Sequence, residues 1–581
     1  MPVHFLALPT EIVVSCLLQL SLRDLVCCLE TNNRTLAKLI LTTPALIFRF
    51  EQAGAGVLEN SAHEASRRPV FDRRAALRAR VERQNTFTPS KRWRIGTKAE
   101  PDSHRVYEVV NDYFGYATSD APLVLDNGLC HGLQLIRAGP SARMCRFGVP
   151  STCRSPFSIL SSSLDGADQQ ILAFQFLRLS DYSLHPLNPE PLVVLRCLRA
   201  YGVPSVCVKV SDMTLVVALA FPPDLEAVPP KLDALHVFDW TSGKSLTPPL
   251  SNAYSCLFFI HHTVLLVANP QQSSLDALFL RDDGFWTWGV SFLLPKLKDT
   301  HAIYWQTAAA GGQPNTRGQL DALRSQSLAG AGHSSSPFPR HTLDQAQFVP
   351  DTDDAMVLLH FEADVITTQE PDDAPEFLNT QTLVFIDKDM LYARFRAAYR
   401  THLQTQPDDE SPLPKVPFDA WGPRCSRWME IPWIPHQALT SAFVGRRFVL
   451  QAEAPGPTLT PQPLKIFDFG AGPVDWARAR AKLGVGAGAA DLLDLENATV
   501  RLVESDFADS GLALQLPGTA RGPGLVHSSF EEPIPSDLAY VEITSKELFD
   551  FDAVYLCNGD IIGGTKSAED GTRELEIFHF G

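Results

Sequence analysis

"LHVFDW", Leu235 to Trp240, is a run of alternating apolar and polar residues that closes on an aromatic. It returns as "LKIFDF", Leu464 to Phe469, and as "LEIFHF", Leu575 to Phe580. Alternation with a period of two places every second side chain on one face, the pattern of a β-strand. The first copy runs into "TSGK", a turn by composition. Around the three copies, from about residue 105 onward, the chain is a succession of short branched and aromatic runs. Examples are "QILAFQFLRL", "SVCVKVSDMTLVVALAF", "YSCLFFIHHTVLLVAN" and "AVYLCNGDIIGGT", set apart by Gly, Pro, Asp and Ser. Many short strands without helices between them predict a sandwich, a barrel or a propeller.

The hexamers resemble the third strand of WD-type propeller blades, which ends in an aromatic-Asp-aromatic or Trp-Asp signature and runs into a tight turn. The copies lie further apart than one blade of about 40–45 residues, so less regular blades must lie between them. The resemblance implies a mainly β protein with a seven-bladed β-propeller over residues 105–581. Two stretches exceed what seven blades need, "TAAAGGQPNTRGQLDALRSQSLAGAGHSSSPFPRH" at 307–341 and "QTQPDDESPLPKVP" at 404–417. Neither holds enough apolar area to offset the entropy of ordering, so both are expected as disordered insertions. The last strand, "LEIFHF", is expected to pair near the N-terminal edge of the ring, with "YEVVNDYFGY" at 107–116 as the partner.

The first fifty residues read differently. Leu8 and Pro9 open a helix, and Ile12, Cys16, Leu17 and Leu20 follow at helical spacing to form one apolar face. Ser21-Leu22-Arg23-Asp24 has the form of a capping box and starts a second helix lined by Leu25, Val26 and Leu29. Leu36, Leu39 and Ile40 line a third, and Pro44 ends the block. Apolar residues also fall off the inward stripe, at Val13, Val14, Leu18, Leu22, Cys27 and Cys28. A surplus of that kind predicts either a partner site or packing onto the rest of the chain.

"LPTEIVVSCLLQLSLRDLVCCLETNNRTLAKLI" resembles an F-box in its Leu-Pro-x-Glu-Ile start, the Asp-Leu pair opening the second helix, and Asn-Arg-x-Leu before the third. The Cys27-Cys28 pair departs from the bulkier residues common there. The resemblance implies a three-helix domain at 1–50 that docks onto a Skp-type adaptor and so joins a cullin–RING ubiquitin ligase. It places Leu8, Pro9, Ile12, Leu20 and Leu25 against the adaptor. An F-box followed by a divergent propeller is similar to a group of fungal F-box proteins. The expectation is a non-catalytic, substrate-recognition subunit of an SCF-type E3 ligase whose propeller binds an unknown protein target.

Between the two lies a connector, 51–104. Residues 51–66 read as a loop, and "RRPVFDRRAALRARVERQNTFTPSKRW" reads as a basic helix. Its arginines admit a nucleic-acid reading, but its densest part carries no interleaved aromatics to stack on bases. The net charge of −16 over 581 residues also repels polyanions. The expected alternative is a solvated helix that packs Val70, Ala75, Leu77, Val81 and Trp93 on the neighbouring domain; no nucleic-acid partner is expected.

The eleven cysteines never form a CxxC pair and read as small buried hydrophobes of a reducing compartment. No secretory leader and no apolar run of about 20 residues is visible. A cytoplasmic or nuclear location without a membrane anchor is therefore expected. Candidate chemistry is thin. "GVGAGAAD" at 484–491 follows the arginine-rich "WARARAKL" rather than a hydrophobic strand, which argues against a phosphate loop. His261-His262 would point to opposite faces of a strand and so could not share a metal. Asp353-Asp354 and Asp372-Asp373 read as solvated turns. No metal, cofactor or catalytic residue is assigned. The alternative function is a propeller enzyme or ligand-binding module whose N-terminal helices are only structural. It would place paired acids in a deep central pocket.

Overall fold

The computed structural model describes residues 5–20, 22–31, 33–59, 63–97, 107–110, 113–118, 132–137, 144–145, 156–165, 169–178, 193–198, 205–211, 213–221, 234–247, 250–251, 256–298, 301–310, 347–351, 355–365, 380–405, 413–431, 442–451, 461–482, 492–504, 530–532, 534–557, 559–566 and 573–580. The chain is mainly β and begins with helices: α1 (Thr10–Leu17), α2 (Leu22–Glu30), α3 (Arg34–Thr42), α4 (Pro44–Gly54) and α5 (Val70–Asn85). A short strand β1 (Val57–Glu59) lies between α4 and α5, and β2 (Lys91–Thr97) follows α5. Pro44 does not end the block as expected: its fixed φ and missing N–H suit the first turn of a helix, and it opens α4 directly after α3. Residues 51–54, expected as loop, are the end of that helix.

From Tyr107 the chain lays down successive antiparallel sheets. The first is Tyr107–Val110, Tyr113–Thr118, Gly132–Arg137 and Met144–Cys145; the second is Pro156–Asp165, Gln169–Arg178 and Val193–Leu198. The third begins at Ser205–Ser211, Thr214–Ala220 and Ala234–Asp239, and the fourth is Leu257–His261, Val264–Asn269, Ser274–Leu280 and Trp286–Leu293. The fifth is His301–Ala310, Met356–Val365, Thr380–Asp387 and Ser426–Ile431. The sixth runs Phe443–Val444, Arg447–Gln451, Gln462–Asp468 and Tyr540–Phe549, extended by Ala498–Val503 and Leu492–Asp494. The seventh is Ala553–Cys557, Asp560–Lys566 and Arg573–His579, completed by β2.

The three hexamers fall on the third strand of the third, sixth and seventh sheets. Their closing aromatics Trp240, Phe469 and Phe580 are all buried. The residue before the aromatic pins the following turn in the first two copies and pairs across to the neighbouring strand in the third. Asp239 accepts from the Thr241 N–H and hydroxyl and from the Ser242 hydroxyl. Burial works against its charge, but these bonds prevail and hold the carboxyl below its ordinary range. Asp468 accepts from Gly470 N–H and pairs with Arg447, and His579 meets Asp560 at 2.8 Å.

Both faces of the inner strands are buried, so the chain shows continuous apolar runs there rather than alternation; every residue of Val264–Asn269 is buried. Leu215 and Val217 pack with Phe174 and Phe176 of the second sheet, whereas Val216 and Ala218 pack with Phe259 and Leu265 of the fourth. Successive residues thus feed separate cores on the two faces of the third sheet, whereas the fifth, sixth and seventh sheets share one core. First strands also neighbour one another, from the third sheet to the seventh and from the seventh back to the first.

The strand that completes the seventh sheet is not the expected one. Lys91–Thr97, assigned to the connector, pairs antiparallel with Arg573–His579, while Tyr107–Val110 starts the first sheet. Arg92 pairs with Glu576 and Glu547, and Arg94 with Glu574 and Glu576, so cross-strand charge selects this partner. The insertions are also narrower than expected. Residues 307–310 belong to a strand that pairs with 357–360. Gln404 and Thr405 end a helix, and Lys415–Val416 pairs parallel with Ser291–Phe292. Residues 311–341 and 406–412 lie outside the described residues.

Later helices are α6 (Lys388–Thr405), α7 (Phe418–Cys425) and α8 (Ala471–Lys482). α6 and α7 join the third and fourth strands of the fifth sheet, and α8 lies in the same connection of the sixth. β1 pairs with Phe348–Pro350 in the first-to-second connection of the fifth sheet. Gln84 of α5 donates to Gly559 O at the first-to-second turn of the seventh. In a meander these two connections leave a sheet by the same edge, so the helices collect at that edge. Among the described residues no helix is long and apolar enough to cross a membrane.

Most connector arginines bond to the rest of the chain, while Arg67 and Arg68 are exposed. Arg73 pairs with Glu59, Arg74 and Arg78 with Glu51, and Arg83 donates to Phe580 O. Arg80 is fully enclosed and donates to Phe348 O at 2.7 Å; burial pulls its pKa down to about 10. Leu77 is buried with Val70, Ala76 and Val81 half-buried beside it; Ala75 is exposed, and Trp93 lies on β2. The Glu51 carboxyl sits below its ordinary value chiefly through the Arg74 hydrogen bond. A depressed carboxyl stabilises the fold above its unfolded pKa and stops doing so as pH falls through the folded value. Glu51→Gln should therefore cost about 1 kcal/mol in urea melts at pH 7, and the cost should vanish as pH falls through the lowered folded pKa. An equal cost at both ends of that range would show that charge is not the cause.

Candidate partner-binding face

Val13, Leu17, Leu25, Leu36, Ile40 and Leu46 form a buried core with Leu6, Leu8, Leu18, Leu20, Cys28, Leu29, Leu39 and Phe50 around it. All of these residues lie between positions 6 and 50, so the helices close a core of their own. Local bonds fix their ends. Asn33 caps α3 by accepting from Thr35 N–H and Leu36 N–H, each at 3.1 Å. Arg49 of α4 donates to Leu18 O just past α1 at 2.8 Å.

α4 is shared between two cores. Leu46 and Phe50, one turn apart, face α1–α3, whereas Phe48 packs on Val57, Leu77 and Phe348. At its far end Gly54 touches Gly472 of α8, where a Cβ on Gly472 would lie 2.5 Å from Gly54 O. The block is therefore mounted on the β part by one helix and keeps its own interior. The two expectations for the apolar surplus meet here: the mount packs on the chain, and another face stays open.

The inward stripe of α1 differs from the expected one. Val13 and Leu17 point inward, whereas Ile12 is 49 % exposed and Cys16 is exposed. Both ladders are apolar with a spacing of four, and α1 ends at Leu17, so Leu20 cannot extend the Ile12 face. Of the five residues assigned to the adaptor, Pro9 and Ile12 are exposed, and Leu8 and Leu20 are half-buried against the block's core. Leu25 is fully buried, so it supports the face from inside and cannot touch a partner. Val26, expected to line the second helix, is exposed, as are Cys27, expected off the inward stripe, and Phe5, which was assigned to neither, together with Pro9, Ile12 and Cys16. The signal for them was the four-residue spacing of Ile12 and Cys16, which runs beside the buried ladder.

The other candidates resolve as follows. The strand ends at His261, and His262 lies in the turn, so the two rings sit side by side with centroids 3.9 Å apart rather than on opposite faces. His261 also stacks on Tyr392 at 4.3 Å and meets the Thr263 hydroxyl at 2.7 Å. Residues 484–491, Asp353-Asp354 and Asp372-Asp373 lie outside the described residues; the helix expected before the glycine run is α8. Of the described cysteines, Cys197, Cys256 and Cys425 are buried as expected, and burial pushes the Cys425 thiol up to about 11. Cys16 and Cys27, in contrast, face solvent. Among the described residues no three His, Cys, Asp or Glu side chains converge on a metal-sized point. The crevice among Gln84, Arg447, Leu556 and Gly559 leaves no room for a bound molecule.

No protein-family model and no curated protein matches the chain. Among solved structures, a glycoside hydrolase family 43 arabinoxylan arabinofuranohydrolase from Bacillus subtilis, in complex with cellotetraose, aligns over 83 % of this chain and 91 % of that one. The identity is 10 % and the TM-score 0.18, a likeness too loose to bear on fold or activity.

Proposed function

We propose that the chain is the substrate-recognition subunit of an SCF-type E3 ubiquitin ligase. The F-box-like block, residues 1–50, binds a Skp-type adaptor and through it a cullin–RING module. The remaining β part is a seven-bladed propeller that binds a protein target. The observation that carries the first half is a helical block with a self-contained core that keeps Phe5, Pro9, Ile12, Cys16 and Val26 in water. Exposed apolar side chains beside a closed core favour association. The propeller reading draws on the hexamers at third-strand positions, on cores between consecutive sheets, and on β2 completing the last sheet. The subunit performs no chemistry. It raises the effective concentration of target lysines near the ubiquitin-loaded enzyme.

The test is reconstitution of the full chain with a Skp-type adaptor, cullin, RING protein, E1, E2 and ubiquitin. Ubiquitin transfer onto the chain itself is the readout. The expected result is adaptor-dependent modification that disappears in an Ile12→Asp variant with an unchanged melting curve. Modification that ignores the adaptor, or persists in the variant, would overturn the assignment.

A further inference from the structure

α6 is an 18-residue helix, about 27 Å long, with one face anchored and the other bare. Its inner face is fixed by packing. Leu391 and Phe395 are buried among the fourth and fifth sheets, Tyr392 stacks on His261, and Tyr399 lies 4.5 Å from Phe279. Its first turn is held by Asp387, which accepts from Met390 N–H at 3.0 Å and pairs with Arg446. The outward face carries Met390, 39 % exposed, then Ala393 and Ala397 in water, and Leu403, 50 % exposed. The two alanines allow close approach of another backbone, and Met390 and Leu403 supply apolar contacts at either end.

Arg396 and Arg400, one turn apart on this face, are exposed, and neither makes an ion pair with any described residue. Arg396 lies only over the Tyr392 ring, at 5.9 Å. Asp389 is exposed on the same stripe, so the two arginines leave this face with a net positive charge in a chain of net charge −16. Their complement is acidic. We propose that the outward face of α6 docks an acidic amphipathic helix of a protein partner, a contact separate from the adaptor face on α1 and α2. A protein fits better than nucleic acid because the neighbouring rings are already covered, Tyr392 by His261 and Tyr399 by Phe279, which leaves no platform for bases.

The test uses the full chain and a fluorescein-labelled Leu/Glu amphipathic peptide of about 18 residues, long enough to span α6. A Leu/Lys peptide and oligo-dT of similar length serve as comparisons. Overall charge would favour the Leu/Lys peptide, so binding of the Leu/Glu peptide reports a local surface. The expected result is saturable anisotropy with Leu/Glu alone, weakened about tenfold or more in Arg396→Glu/Arg400→Glu and by raised salt. Ala397→Trp, which blocks close approach without changing charge, should weaken it as well; Arg68→Glu, a charge reversal elsewhere, should not. The proposal falls if the Leu/Glu peptide does not bind, if both α6 variants bind it normally, or if oligo-dT binds through the same arginines. It also falls if the wild-type chain self-associates through this face, which would make a second copy the occupant.

Discussion

Phe87→Ala should destabilise the protein by about 3–5 kcal/mol, the cost of deleting a buried phenylalanine ring. Phe87 stands just beyond α5 with φ +50, a left-handed conformation, and is only 3 % exposed. Its ring lies about 6 Å from Phe578 and Phe580 of the last strand and 6.3 Å from Phe549 of the sixth sheet. The backbone strain of about 1–2 kcal/mol is tolerated because the ring fills the junction between the N-terminal helices and the C-terminal sheet. The same reasoning separates two variants. At an ordinary site glycine is worse than alanine by about 0.5–1 kcal/mol; here glycine relieves the left-handed strain, so Phe87→Gly should be no less stable than Phe87→Ala. Chemical denaturation of both settles it. A loss below about 1 kcal/mol would mean that the junction is not held by this ring.

Leu25→Ala should cost about 2–5 kcal/mol, and the loss should stay within the helical block. Leu25 is fully buried among Val13, Leu17, Leu36, Ile40 and Leu46, a core to which no strand contributes. The expected signature is faster amide exchange and proteolysis over residues 6–42 while the β part melts unchanged. If the block holds the proposed adaptor, such a variant should lose it by unfolding the face, whereas Ile12→Asp should lose it by contact alone. A drop in the melting temperature of the β part would show that the block and the sheets fold as one unit.

The sequence carried the β architecture through the hexamers, because third strands end on a buried aromatic beside a turn-pinning residue. Asp239 and Asp468 do this with carboxylates, whereas His579 pairs across to Asp560 of the neighbouring strand, and the third copy still lies on a third strand. The strand that completes the seventh sheet was missed because Lys91, Arg92 and Arg94 read as part of a basic helix. Its signal lay elsewhere in the chain, in the alternating acids Glu574 and Glu576 that the arginines pair with. Long-range charge matching of this kind is invisible to local periodicity. The inward face of α1 was misread for a related reason. Two apolar ladders with the same spacing stand side by side, and only the position of α2–α4 decides which is covered. Leu25 followed from the resemblance as an interface residue, but a four-helix core this small needs it inside.

The central claim is that the open face of α1 and α2 holds a Skp-type adaptor. The most direct measurement is a calorimetric titration of the full chain with purified adaptor, beside Ile12→Asp. The account predicts saturable one-to-one binding that the substitution weakens about tenfold or more, with the fold intact. Heat-silent mixing of two folded, soluble proteins, or equal affinity for the variant, would contradict it.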